Sequence, residues 1–142
     1  MYSTILLPTD GSEGASEAVD AGLRVAEQYG AVVHALFVVD ERFVATDYDM
    51  VREDAEDEGE RALDDVGRRG EAAGVAVEKH LRRGVPHTEI LDAVGDYGAD
   101  LVVMGKHGRT GLDRFLNLGS VTERVVTGSP VQVLTVPIGD GE

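Results

Sequence analysis

Apolar and polar positions alternate along the chain in blocks that predict five strands separated by four helices. Five short apolar runs have the length and composition of strands: 5–7, 31–39, 75–81, 100–104 and 131–136. Apolar and small residues recur at helical spacing between them, which predicts helices over 15–29, 47–73, 86–97 and 120–127. Glycines follow these helices at Gly30, Gly74, Gly98 and Gly128 and are expected to end them. Loops are expected over 40–45 and in the polar tail 139–142.

The order β-α-β-α-β-α-β-α-β predicts an α/β fold with a parallel sheet, because parallel strands need helical crossovers, which cover both sheet faces. The run 31–39 is apolar nearly throughout, as expected for a strand covered on both faces, whereas 75–81 mixes in polar residues and suits a strand nearer the edge. With 142 residues, we expect one domain over 1–142. The chain has no cysteine, no signal-like start and no apolar run of transmembrane length, so we expect a soluble, cytoplasmic protein without a membrane partner.

The chain is strongly acidic, with a formal net charge of −14 from 27 carboxylates and 13 basic residues. This charge repels phosphate groups, so nucleic acid and anionic lipid are not expected partners. It is typical either of an acidic, solubilising surface or of a halophilic protein in a high-salt cytoplasm, where repulsion is screened. Only Lys79 and Lys106 are lysines, beside 11 arginines. Scarce lysine with abundant carboxylates favours the halophilic interpretation.

A split glycine loop is the strongest candidate for chemistry. Open parallel sheets bind ligands beyond the carboxyl ends of their strands, and Gly105-Lys106-His107-Gly108 follows the fourth strand directly. Glycines let backbone amides approach an anion, and Gly119-Ser120 lies where the last helix presents unsatisfied N–H groups and a positive dipole end. The segments therefore suit phosphate binding. The alternative is that the glycines form ordinary turns and Ser120 is a simple N-cap.

Other polar residues give weaker signals. Asp10, beyond the first strand, could accept hydrogen bonds from a ribose or an adenine amino group, or it could form an Asx-turn or helix cap. The four histidines lie far apart in the sequence and show no metal-ligand spacing. His34 is expected within a strand and His87 at a helix start, both structural, and His107 is expected to be a contact or spacer in the glycine loop. With no Gly-x-Ser-x-Gly, no Walker motif and no paired catalytic carboxylates, we predict no catalytic and no metal-ligating residue.

Several segments together resemble the universal stress protein family over nearly the whole chain. They are 5–12, 38–40, 102–112, 118–125 and 130–134. The resemblance implies an adenine-nucleotide α-hydrolase-like fold with an open five-stranded parallel sheet of order 3-2-1-4-5. It also implies a homodimer formed by pairing of the last strands, Val131 to Val136.

The resemblance further implies a bound adenine nucleotide, ATP or AMP, with Mg²⁺ or Mn²⁺ held through the phosphates. ATP-binding members carry Gly-x2-Gly-x9-Gly-Ser/Thr. Carried over, the residues lining the adenine and ribose would be Pro8, Thr9, Asp10 and Val38. Those following the ribose and first phosphates would be Met104, Gly105, Gly108 and Arg109. Those holding the distal phosphates would be Gly119, Ser120 and Val121.

The spacing departs from the family motif in one place. Ten residues, not nine, separate Gly108 from Gly119, and Asn117 divides the apolar pair Leu116 and Leu118. Asn tolerates left-handed backbone angles, so a bulge at Asn117 could absorb the insertion. Otherwise Gly119 would be displaced by up to ~3.5 Å, more than a hydrogen bond tolerates. The intact half-motifs favour the bulge. Lys106, where a small residue is common, is a second departure.

The sequence leaves several functions to compare. We expect an ATP-binding stress-response protein acting as a nucleotide-dependent dimeric switch, not an enzyme beyond slow ATP hydrolysis. The alternative is a family member without nucleotide that serves as a dimeric interaction module. An adenylating enzyme ranks last, because Thr9-Asp10-Gly11-Ser12 does not match the Ser-Gly-Gly-x-Asp-Ser loop of that group. A phosphoacceptor receiver domain would need an aspartate ending the third strand, where Arg82-Arg83-Gly84 stands instead.

Overall fold

Strands and helices alternate strictly along the part of the chain that the structure describes. The computed structural model describes residues 2–41, 49–106 and 119–137, without the side chains of 49–53. The elements are β1 (Thr4–Pro8), α1 (Glu13–Tyr29), β2 (Val32–Asp40), α2 (Asp49–Ala73), β3 (Val77–Gly84), α3 (Pro86–Tyr97), β4 (Leu101–Gly105), α4 (Ser120–Gly128) and β5 (Gln132–Val136). The five strands and four helices confirm the predicted α/β order.

The strands form one parallel sheet of order β3-β2-β1-β4-β5, as predicted. β3 lies at one edge, in agreement with its mixed composition. It pairs with β2 from Val33↔Val77 to Asp40↔Gly84. β1 and β4, at the centre, are buried almost throughout. The chain order reverses between these two central strands, so their carboxyl ends flank a crevice.

Each face of the sheet carries its own hydrophobic core, because successive side chains of a strand point to opposite faces. Ile5 and Leu7 pack with α1 and α2 on one face. Leu6 packs on the other face with residues of α3 and α4, among them Ile90 and Val125. The expected covering of both faces is therefore confirmed.

Most element boundaries agree with the sequence patterns, and the differences have local causes. Gly30 and Gly98 end α1 and α3 in left-handed conformations with φ of 67° and 68°. α1 begins two residues earlier than expected, at Glu13, because the Ser12 side chain accepts a hydrogen bond from Ala15 N at 3.2 Å. In the last helix, Gly128 is still helical and Ser129 is the C-cap.

The third strand is shifted from its predicted position 75–81 to Val77–Gly84. Val75 follows the end of α2 and is outside the strand, since its amide donates to the carbonyl of Gly70 in the last turns of that helix at 2.8 Å. The strand continues through Arg82, which lies in the sheet because Glu89 and Asp96 of α3 pair with its guanidinium at 2.8 and 3.1 Å. Of the predicted loop 40–45, Asp40 ends β2, and 42–45 lie outside the described residues, as does the tail 139–142.

The long acidic helix α2 lies close against the sheet at a glycine. A Cβ atom on Gly59 would lie 2.6 Å from Cδ1 of Phe37, so only glycine permits this approach. Leu63 and Val66 of α2 are buried in the core on this face, at 4% and 1% exposure. Within the described ranges, no helix combines the length and apolarity required to cross a membrane.

Candidate functional site

The crevice between the carboxyl ends of β1 and β4 brings together residues that are far apart in the sequence. β1 ends at Pro8, whose register partner on β2 is Leu36, and β4 ends at Gly105. Both strands run parallel and adjacent, with Leu6 opposite Val102. The turn after β1 and the start of α4 therefore lie at the same edge of the sheet, where parallel α/β proteins bind ligands.

The turn after β1 is held by a chain of hydrogen bonds. The buried Thr9 donates its amide to the carbonyl of Leu36 at 2.8 Å, and its Oγ1 accepts from Gly11 N at 3.2 Å. Asp10 Oδ1 accepts from Ser12 N at 2.9 Å, which is the Asx-turn considered from the sequence. These bonds fix Thr9 and Asp10 at the sheet edge.

The start of α4 is tied to the end of β4 by a buried side chain. Thr122 Oγ1 donates to the carbonyl of Gly105 at 2.9 Å, and Thr122 is only 3% exposed. Gly119 is the N-cap with φ −62° and ψ 156°, and it has no side-chain capping bond within the described part of the chain. Ser120 is exposed and is the first helical residue, so it is not the N-cap that the alternative interpretation had assumed. The first amides of α4 are thus presented at the positive end of the helix dipole.

The base of the glycine loop is closed in spite of the additional residue. Gly119 N donates to the carbonyl of Lys106 at 2.9 Å, and Lys106 N donates to the carbonyl of Val136 at 2.8 Å. These bonds join the two ends of the segment that contains the insertion. The segment itself, including Asn117 and its expected bulge, lies outside the described residues.

The apolar residues assigned to the site share one face of the sheet. Met104 is buried in the core beneath α3 and α4, and Val38 and Val121 pack against the same core. Gly108, Arg109 and His107 lie outside the described residues. The described residues of the assigned set therefore come from β1, β2, β4 and α4 and meet at one edge.

A groove on the opposite face, which the sequence did not indicate, lies between the start of α1 and α2. It has a volume of about 300 Å³ and is lined partly by Thr9, Ser12 and Ser16. Arg69 of α2 also lines it, and its guanidinium donates to Asp20 at 2.5 Å and to Asp65 at 2.9 Å. The charge of Arg69 is thus engaged within the protein.

Two of the four histidines meet on the neighbouring strands β2 and β3, which sequence spacing had not suggested. His34 Nδ1 lies 2.9 Å from His80 Nε2, and the Tyr97 ring stacks on His80 at 4.0 Å between centroids. Burial, and secondarily the charge of His34, lowers the pKa of His80 below its ordinary value. The available signal was the strand order, since β2 and β3 are neighbours and both histidines face α3. His34 within a strand and His87 in the first turn of α3 are confirmed.

Comparisons with known proteins agree with this architecture. The model of the universal stress protein family matches residues 1–137. The chain is 38% identical over 141 residues to universal stress protein MJ0531 of Methanocaldococcus jannaschii, covering 96% of this chain and 82% of that one. The solved structure of MJ0577, from the same organism, superposes with a TM-score of 0.83 at 33% identity and 99% coverage of both chains. A universal stress protein solved in complex with cAMP has a TM-score of 0.74 at 25% identity, covering 97% of this chain and 98% of that one.

Proposed function

The chain belongs to the universal stress protein family, and from that premise we propose that it is an ATP-binding regulatory protein without dedicated catalytic machinery. The observation that carries the proposal is the start of α4, which has no side-chain cap among the described residues and is held against the end of β4 by Thr122. A polyphosphate placed there would meet backbone amides and a positive dipole end. Nucleotide occupancy would then set the conformation or partner choice of the protein.

Each segment of the proposed site would contact a different part of the nucleotide. Because the amide of Gly119 is already bonded to Lys106, the phosphate donors would be the amides of Ser120, Val121 and Thr122 with the Ser120 hydroxyl. Asp10 would receive the ribose or the adenine amino group. The adenine would lie near Pro8, Thr9 and Val38. The ribose and first phosphates would follow Met104, Gly105, Gly108 and Arg109.

The divalent ion of this proposal would arrive with the nucleotide. The start of α4 offers amides and one hydroxyl, which are donors suited to phosphate oxygens. Mg²⁺ prefers to keep waters and to be held largely through substrate phosphates, so the donor set fits a metal–nucleotide complex. The relative solved with cAMP supports an adenine nucleotide as the ligand class.

We expect the protein purified from its host to carry ATP or AMP, detectable by mass spectrometry after denaturation.

Calorimetry in molar KCl with Mg²⁺ should show ATP binding. Gly108→Val should weaken it by at least ~100-fold, since a side chain there would block backbone approach to the phosphates. Gly95→Val is the matched control, because a Cβ atom at Gly95 meets nothing within 4 Å and Gly95 lies in α3, outside the proposed site. If the wild-type protein does not bind at millimolar ATP, the dimeric interaction module replaces this proposal.

We also propose that β5 forms the interface of a homodimer. Within the described ranges β5 pairs with β4 alone, and its Leu134 is 41% exposed, so an apolar sheet edge is presented to a partner. Leu134→Glu should convert the dimer to a monomer in analytical ultracentrifugation. Val126→Glu on α4, equally exposed at 41%, should leave the dimer intact. A wild-type monomer at micromolar concentration would contradict this interface.

A further inference from the structure

The paired histidines of β2 and β3 form a compact group of metal-ligand atoms together with one carboxylate. In the parallel register His34 lies opposite Glu78, and His80 follows two residues later on the same face. His34 Nδ1 lies 2.9 Å from His80 Nε2 and 4.0 Å from Glu78 Oε1. One donor atom from each of the three residues lies within 4.8 Å of the other two.

The cluster is held in place by its surroundings. Tyr97 of α3 lies over both imidazoles, with interplanar angles of 10° and 17°. The guanidinium carbon of Arg82 lies 5.8 Å from the Tyr97 ring centre, and the charge of Arg82 is compensated by Glu89 and Asp96. His34 retains only 13% of its side-chain exposure, whereas Glu78 retains 62%. Two ligands are thus positioned by packing, and the third is free to adjust.

From this arrangement we propose that His34, Glu78 and His80 bind one Zn²⁺ ion that clamps β3 to β2. Two imidazoles and one carboxylate are a donor set that zinc uses with a water as its fourth ligand. Without metal, two imidazole nitrogens 2.9 Å apart share one proton, and the metal would take the place of that proton. The strongly negative net charge favours accumulation of a cation at the surface.

Little rearrangement is required for binding. Zn–N bonds of ~2.0–2.1 Å in a tetrahedral site place two nitrogens ~3.3–3.4 Å apart, so the rings would tilt and separate by about half an ångström. The distance between Glu78 Oε1 and His34 Nδ1 would shorten by a similar amount, and the exposed Glu78 side chain has room for this movement. Mg²⁺ is a poor alternative occupant, because it prefers oxygen ligands in octahedral geometry. The cluster lies on β2 and β3, and His34 precedes Val38 by four residues along β2. At ~3.3 Å per residue it is therefore ~13 Å nearer the amino ends of the strands than the proposed nucleotide crevice at their carboxyl ends.

The test is calorimetry of ZnCl₂ binding to the full-length, tag-free protein after removal of nucleotide and metal by chelator and desalting. We expect one Zn²⁺ per chain, and binding weakened on the order of 10–100-fold or more by Glu78→Gln and by His80→Asn. His87→Asn, which changes a histidine outside the cluster, should bind as wild type does. Glu78→Gln keeps the test decisive if His80→Asn perturbs folding, because Glu78 is exposed and its loss leaves both rings packed.

Cobalt substitution supplies a second measurement. Co²⁺ bound by this cluster should give the visible absorption of a low-coordinate site, and Glu78→Gln should alter or abolish it. The proposal is overturned if the wild-type protein takes up no stoichiometric zinc, or if Glu78→Gln and His80→Asn both bind zinc as tightly as wild type. The pair would then be an ordinary histidine–histidine hydrogen bond. Neither outcome depends on ATP binding, since nucleotide is absent throughout.

Discussion

Ser120→Asp is expected to weaken ATP binding on the order of 10–100-fold while leaving the fold as stable as in the wild type or slightly more so. Both effects come from the negative charge added at the start of α4, which stabilises the helix but repels a bound phosphate. A carboxylate at the first residue of α4 interacts favourably with the helix dipole, by ~0.3–1 kcal/mol. The same carboxylate would lie about 5 Å from a bound phosphate, where repulsion reaches ~3 kcal/mol per unit charge at an effective dielectric constant of 20.

The matched control for this variant lies at the other end of the same helix. Thr127→Asp adds the same charge to an exposed residue near the end of α4, where the dipole is unfavourable to it. It should lower the melting temperature slightly and leave ATP affinity unchanged. Calorimetry and thermal denaturation, run at the lowest KCl concentration that keeps the protein folded, separate the two variants. Equal ATP affinity in Ser120→Asp and wild type would exclude α4 as the phosphate site.

The central sheet could be predicted from sequence because its signals are local. The apolar side chains around Leu36 are removed from water only if both faces of their strand are covered. Gly30 and Gly98 end helices with left-handed backbone angles that glycine readily adopts. The candidate site was predictable for a related reason. Once strands alternate with helices, Thr9 and Gly105 must both lie at the carboxyl edge of the sheet.

The remaining features depend on contacts between segments that no local pattern encodes. Val75 looks like the start of a strand, but its amide is taken by the end of α2. His34 and His80 are separated by 46 positions, and only the pairing of β2 with β3 brings their nitrogens to 2.9 Å. Likewise, Gly59 fits a small-residue stripe in sequence, but the reason for glycine there is the ring of Phe37.

The largest stability effect is expected from salt, and α2 is where it should originate. Asp49–Ala73 contains ten carboxylates and four arginines, so this one helix carries a net charge of −6. The stretch 53–60 has six carboxylates and no basic residue. Like charges spaced three or four positions apart on a helix destabilise it by ~0.2–0.5 kcal/mol per pair, which makes ~1–3 kcal/mol for the pairs in this stretch.

Raising KCl from 0.1 to 2 M should therefore raise the melting temperature by about 3–10 °C, because the Debye length falls from ~10 Å to below 3 Å. Circular dichroism against temperature at a series of KCl concentrations measures this directly. Asp57→Asn combined with Glu60→Gln should flatten the salt dependence and stabilise the protein at low salt. The control, Asp92→Asn combined with Glu27→Gln, removes the same amount of charge from α3 and α1. It should reduce the salt dependence of the melting temperature less. A melting temperature independent of KCl would contradict both the repulsion in α2 and the halophilic interpretation, because each requires that the folded state gain from screening.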